Sequence, residues 1–138
     1  MKLHSTNYTD TFIEIAEDSP TALGETPPTK GGGKSVANLQ FEMIKQYPYQ
    51  YSSDEVVFYC YATKKNLTQS ELPAEKENFF SKGQPCLRAS PLTKRYGWGV
   101  HHNADGKIAI YGAETAEYKN YATDPKLRIV KAMRAKKA

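Results

Sequence analysis

The chain lacks most of the features that mark a special structural class. Its two cysteines, Cys60 and Cys86, are too few for a disulfide framework or a cysteine-based zinc site, and they suit a reducing compartment. No apolar run approaches the roughly eighteen residues of a membrane-crossing helix. The opening MKLHSTNYTD has no apolar h-region and no small-residue cleavage site, so no secretory signal is expected and a cytoplasmic location is. There is no internal repeat. Collagen, coiled coil, membrane protein, secreted mini-protein and solenoid are thereby excluded. What remains is 138 residues and 15.5 kDa, 39% hydrophobic and 12% aromatic, with ten Tyr, five Phe and one Trp. That is enough apolar surface for one core and one domain spanning 1–138.

Acidic residues are scarce where basic ones gather. Residues 1–29 carry one Lys against five acids, and residues 63–138 carry fifteen Lys and Arg against seven acids. Six cations fall in the last thirteen residues, KLRIVKAMRAKKA, with no acid among them. A basic end of this kind favours phosphates or acidic surfaces, and it equally serves as a solvated tail.

Thr11–Ala16 reads as a short strand with Phe12 on one side and Ile13 and Ile15 on the other. Glu17 to Lys34 holds three Pro and four Gly and is expected to be a flexible loop. Ser35 then caps a helix to about Gln46, with Val36, Leu39, Met43 and Ile44 on its apolar face and Pro48 beyond its end. In SSDEVVFYCYATKKN, strand propensity competes with helix signals. A Ser52–Glu55 capping box, Lys64 and Lys65 in the last turn and Asn66 as a left-handed cap favour a helix over 53–65. Thr68 and Glu71 repeat the box and open a third helix expected to end at Lys82–Gly83, with Phe79 and Phe80 as anchors.

From Gln84 the pattern turns to strands. CLRAS reads as an extended run interrupted by Pro91. Tyr96–His102 and Lys107–Gly112 flank Asn103-Ala104-Asp105-Gly106, a four-residue hairpin turn. Tyr96, Trp98 and Val100 share one face, and Gly97 and Gly99 leave the other bare. Thr115–Tyr121 suits a short helix, and residues 127–134 suit helix or strand equally. The sum is an α+β single domain, an antiparallel sheet of about three to five strands with helices packed on one face.

Several blocks, TNYTDTFIEIAEDSP, ANLQFEMI, PYQYSSDEVVF and above all FFSKGQPCLRASPLTKRYGWGVHHNADGKIAIYG, resemble a bacterial family of conserved hypothetical proteins, a domain of unknown function. The resemblance covers nearly the whole chain. It implies a small cytosolic bacterial protein and carries no assigned activity, cofactor or site.

The chemical motifs are weak one by one. PTKGGGKS approximates a phosphate-binding loop, but Pro28 stands where the pattern needs its first Gly, and no buried strand precedes it. Its glycines could still offer free N–H groups to an anion at a helix start. His101 and His102 are adjacent, so on a strand they point to opposite faces and cannot chelate one metal; no metal and no cofactor are expected. Cys86 follows a helix end, which disfavours a reactive thiolate, and Cys60 suits a core position. Tyr47, Tyr49 and Tyr51 could stack on a ligand or simply pack between two helices.

The strongest candidate is the segment from Arg88 to Trp98. It sets three cations beside two hydroxyls and two large aromatics within eleven residues. Cations neutralise phosphate or carboxylate, hydroxyls donate hydrogen bonds and rings supply stacking area. Arg88, Ser90, Lys94, Arg95, Gly97, Gly99 and His101 are the candidate ligand-binding residues. They point to a module for an anionic small molecule or nucleic acid rather than a membrane. A protein-interaction or assembly domain is the alternative, and an enzyme acting on a small anionic metabolite, with Arg88 and Arg95 holding the substrate and His101 or His102 moving protons, is a further one.

Overall fold

A computed structural model describes residues 3–29 and 31–136. Four strands, β1 (Thr11–Glu14), β2 (Trp98–His102), β3 (Ile108–Gly112) and β4 (Arg128–Lys131), form one sheet in the order β3-β2-β1-β4. Five helices accompany it: α1 (Val36–Gln46), α2 (Ser53–Lys64), α3 (Leu72–Phe80), the single turn α4 (Pro91–Lys94) and α5 (Ala116–Ala122). The class is α+β, as expected. The sheet, however, is mixed rather than antiparallel. β1–β2 and β2–β3 are antiparallel, but β4 lies parallel to β1. The connection from β3 to β4 runs through α5 and crosses the sheet, and a parallel return needs such a crossover.

That crossover also corrects the expectation of helices on one face. Strand alternation sends Ile13, Trp98, Val100, Ile108 and Ile110 into the main core with Ile44, Val56, Cys60, Leu87 and Leu92. Phe12 points the other way, yet it too is fully buried, because Tyr118 and Tyr121 of α5 pack on its ring. Tyr118 further accepts the Ile15 N–H at 2.9 Å. A second small core joins Phe58 and Ala62 of α2 to Phe80 of α3.

The helix signals survive in detail. Ser35 and Asn38 cap each other reciprocally at α1, as do Ser52 and Glu55 at α2, and Asn66 takes φ +54° as a left-handed cap. At the third box the Thr68 N–H donates to Glu71 Oε1 at 2.8 Å, but this turn precedes the helix, which starts at Leu72 with Pro73 in its first turn and ends at Phe80. On α1, Val36 is exposed, and the buried side is Ala37, Gln40 and Ile44. A buried hydrogen bond from Ser90 Oγ to Gln40 Oε1 turns the helix that way.

Two segments expected to be loose are tied in part. In the 17–34 loop, Glu25 pairs with the Tyr96 carbonyl and accepts from Trp98 Nε1, both at 2.8 Å, and Asn38 Nδ2 donates to the Pro27 carbonyl at 2.9 Å. At the basic end, the ambiguous 127–134 stretch contains β4, and Ala132 N–H continues onto the Glu14 carbonyl. Of that end, Lys137 and Ala138 lie outside the described residues, as does Lys30 of the loop. Among the described residues no helix is long and apolar enough to cross a membrane.

Candidate functional site

The seven candidate residues do not converge. CLRAS is not extended: Leu87–Ala89 forms a 3-10 turn, and Pro91 opens α4 instead of breaking a strand. A proline at the first helical position has its fixed φ and missing N–H already suited to a helix start. Ser90 caps that turn, accepting the Leu92 N–H at 3.1 Å while donating to Gln40, and is buried. Its one proton is spent on Gln40, so it has no donor left for an anionic ligand. Thr93, fully buried, donates to the Leu87 carbonyl at 2.7 Å.

The cations fare differently. Arg88 Nε donates to the Lys131 carbonyl at 2.7 Å, and the Arg88 carbonyl accepts Met133 N–H at 2.8 Å. Arg95, exposed at the end of α4, reaches the Ala135 carbonyl at 3.4 Å. The segment 88–95 therefore meets the C-terminal segment at Arg88 and Arg95, which brings these two cations beside the stretch that carries Lys131, Arg134 and Lys136. Three acids sit among them. Glu14 is 3.8 Å from Lys131, and Glu17 and Asp18 are each 4.0 Å from Arg134. Asp18 is already committed, accepting the N–H groups of Ala135 and Lys136, and these bonds hold its carboxyl below the usual range.

The glycine face is closed. Gly97 takes φ +78°, and a Cβ there would strike the Leu23 carbonyl. At Gly99 a Cβ would stand 2.6 Å from both the Phe12 and Tyr118 rings. These glycines admit the 17–34 loop and α5, not a ligand lying on bare backbone. Trp98 is likewise spent, with its ring between Phe41 and the Lys45 ammonium and its Nε1 on Glu25.

His101 and His102 do point to opposite faces. His102 is fully buried against the Tyr8 ring, and neither ring nitrogen has a partner among the described residues. Burial lowers its pKa from 6.5 to about 4, so it is neutral at pH 7. His101 joins a cluster that the sequence did not single out. Tyr49 has φ +60° and sends its hydroxyl under the sheet, 2.7 Å from His101 Nδ1 and 2.9 Å from the Tyr111 hydroxyl. Tyr121 of α5 stacks on the imidazole at 4.1 Å between centroids. Desolvation lowers the His101 pKa and raises those of Tyr49 and Tyr111. The Tyr49 hydroxyl is thus the middle member of a hydrogen-bond chain, bridging His101 Nδ1 and the Tyr111 hydroxyl. The available signal was the run Tyr47-Pro48-Tyr49-Gln50-Tyr51, whose helix-stopping proline sends the middle tyrosine away from its neighbours.

The thiols stay apart from this cluster. Cys60 is buried and pushed up to about 12 by desolvation, and Cys86 Sγ lies 3.4 Å from the Tyr8 hydroxyl. Among the described residues no three His, Cys, Asp or Glu side chains gather as metal ligands.

Comparison with known proteins returned no match among curated proteins and none among solved structures. One family matches residues 3–138, and the chain belongs to it: DUF6157, a family of unknown function.

Proposed function

We propose that the protein is a binding module for an anionic partner, with the surface of Arg88, Lys94, Arg95, Lys131, Arg134 and Lys136 as its contact face. One observation carries this reading. Two cation-rich segments some forty residues apart run side by side, joined by the Arg88–Lys131, Met133–Arg88 and Arg95–Ala135 hydrogen bonds. A surface of like charges raises the local potential and steers an anion toward it. Among the described residues, the Nη groups of Arg88 and the Lys94 ammonium have no protein partner, so they remain available. Of the two aromatics of the expected patch, Trp98 is buried and Tyr96 packs against the main core. Recognition therefore rests on charge and main-chain contacts rather than on base stacking.

Fluorescence anisotropy with labelled polyglutamate and a single-stranded oligonucleotide, at low and at physiological salt, tests this reading. At least one probe should bind the native chain, and Lys94→Glu/Arg95→Glu should weaken that binding about tenfold or more (about 1.4 kcal/mol). Circular dichroism confirms that the variant is folded. Neither probe binding the native chain, or a folded variant binding as tightly as the native chain, removes the reading.

A further inference from the structure

The basic face borders a feature of a different kind, the outer edge of β4. The sheet ends there, because β4 pairs with β1 on one side only. Which main-chain groups face outward follows from the ladder. Arg128 N–H donates to the Asp10 carbonyl and Ala132 N–H to the Glu14 carbonyl, both toward β1. Parallel pairing alternates, so Val130 also faces β1, while Ile129 and Lys131 turn their N–H and C=O groups outward. The Lys131 carbonyl bears this out, since it is the one taken by Arg88 Nε at 2.7 Å. The Ile129 N–H and C=O and the Lys131 N–H have no partner among the described residues. They sit in an exposed to half-buried strand, with Arg128 and Lys131 both exposed.

Beyond Lys131 the edge is closed, because Met133 N–H donates to the Arg88 carbonyl. The open part lies beside Ile129 and the Lys131 N–H. An open edge of this sort invites another strand, and proteins guard such edges with short strands and charged side chains. β4 has both protections, being four residues long with a cation at each end. Those charges are selective. A second copy of this chain would bring another basic β4 and be repelled, whereas a strand carrying carboxylates at the facing positions would be attracted. The Arg88 guanidinium, already reaching to the edge, would meet it there.

We propose that the outer edge of β4 takes up an acidic peptide in extended conformation, which adds to the sheet as a fifth strand beside Ile129 and Lys131. This rests on the anionic-partner reading above and names the partner. Main-chain pairing would supply the register, and the cations at the edge would select for carboxylates, Arg128 on one face of the strand and Lys131, which also meets Glu14, on the other.

The test uses a short labelled peptide alternating glutamate with valine, and the same peptide N-methylated at alternate residues. N-methylation keeps the charge and removes the strand-forming N–H groups. The parent peptide should bind and the N-methylated one should bind at least tenfold more weakly. In amide hydrogen exchange, the Ile129 and Lys131 protons should slow on peptide addition, and Val130, already bonded to β1, should change little. Equal binding of the two peptides, or binding without protection at Ile129 and Lys131, overturns strand addition while leaving a charge-driven face. Binding of the oligonucleotide but of neither peptide also overturns it. Binding of none of the three removes both readings at once.

Discussion

The Asp18 carboxylate holds the backbone of Ala135: Oδ1 accepts the Ala135 N–H at 2.7 Å, and Oδ2 takes the neighbouring Lys136 N–H at 3.1 Å. An acid from the acidic first segment thus fastens the basic last one, with Arg134 4.0 Å from the same carboxylate. The pairing crosses almost the full length of the chain and completes the basic face.

Asp18→Ala should therefore release residues 134–136 from the body of the protein, while Ala132 and Met133 stay held by Glu14 and Arg88. Limited trypsin digestion should cut the variant after Arg134 faster than the native chain, and its melting midpoint should fall. Because the hydrogen bonds hold the Asp18 pKa down, their contribution is present above the ordinary carboxylate range and is lost as pH falls through the folded value. The difference in cleavage between native and variant should shrink in acid with a protease active there. Equal cleavage rates near neutrality would show that Asp18 does not hold this segment.

Gly97 and Gly99 should reject alanine for different reasons. At Gly97 the backbone is left-handed and the Leu23 carbonyl blocks the Cβ, so Gly97→Ala combines strain with a backbone clash. At Gly99 the obstacles are the Phe12 and Tyr118 rings, and overpacking of this kind costs typically about 1–3 kcal/mol. Chemical denaturation should place both variants below the native chain. In Gly99→Ala, Phe12→Leu should recover part of the loss by making room, and it should recover nothing in Gly97→Ala. A Gly99→Ala chain as stable as the native one would mean that α5 is not seated on β2.

Local chemistry made much of the fold readable. The Ser35 and Ser52 caps, the Asn66 stop and the Asn103–Gly106 turn each act within a few residues, and each stands where the sequence implied. What escaped depends on partners far away. The sheet is mixed because α5 carries β4 across to β1, and no local signal in KLRIVK states which strand it will meet. Pro91 suits the end of a strand and the start of a helix equally, and the choice falls to Leu87 and Leu92, which must enter the core together. The candidate site dispersed for the same reason. Positions 88 to 101 are neighbours in sequence, but a 3-10 turn, a helical turn and strand alternation deal them to different surfaces. Arg88 and Arg95 stayed together only by meeting the C-terminal segment.

Tyr49→Phe should destabilise the protein without enlarging any cavity. The substitution removes one hydroxyl and leaves both His101 Nδ1 and the Tyr111 hydroxyl short of a partner. A part-buried polar group left unpaired costs about 1–3 kcal/mol, so the loss should lie in that range. Tyr111→Phe, which removes only an end member of the chain, should cost less. The order of the two melting midpoints checks that Tyr49 is the bridging member of the chain. If Tyr111→Phe proves the more damaging, Tyr49 is not the bridging hydroxyl.

His102 predicts a pH dependence that reaches above the carboxylate range. Its ring is fully buried with no partner for either nitrogen among the described residues, so the fold tolerates only the neutral form. The unfolded chain binds a proton near pH 6.5, and the folded chain resists until about 4. Between these values the unfolded state holds more protons, so stability rises with pH. The contribution is complete above pH 6.5 and is lost progressively as pH falls toward 4; at 1.36 kcal/mol per pH unit it amounts to about 3 kcal/mol in all. His101, lowered by partial burial, contributes with the same sign. Urea unfolding of the native chain at intervals across this window should show the slope, and His102→Leu should flatten most of it. The variant should also be no less stable than the native chain at pH 5, because an apolar side chain leaves no unpaired nitrogen in the core. A slope that persists unchanged in His102→Leu would leave the acid sensitivity to His101 and to the lowered carboxyls of Asp18, Glu55, Glu71 and Glu114, and remove His102 from the account.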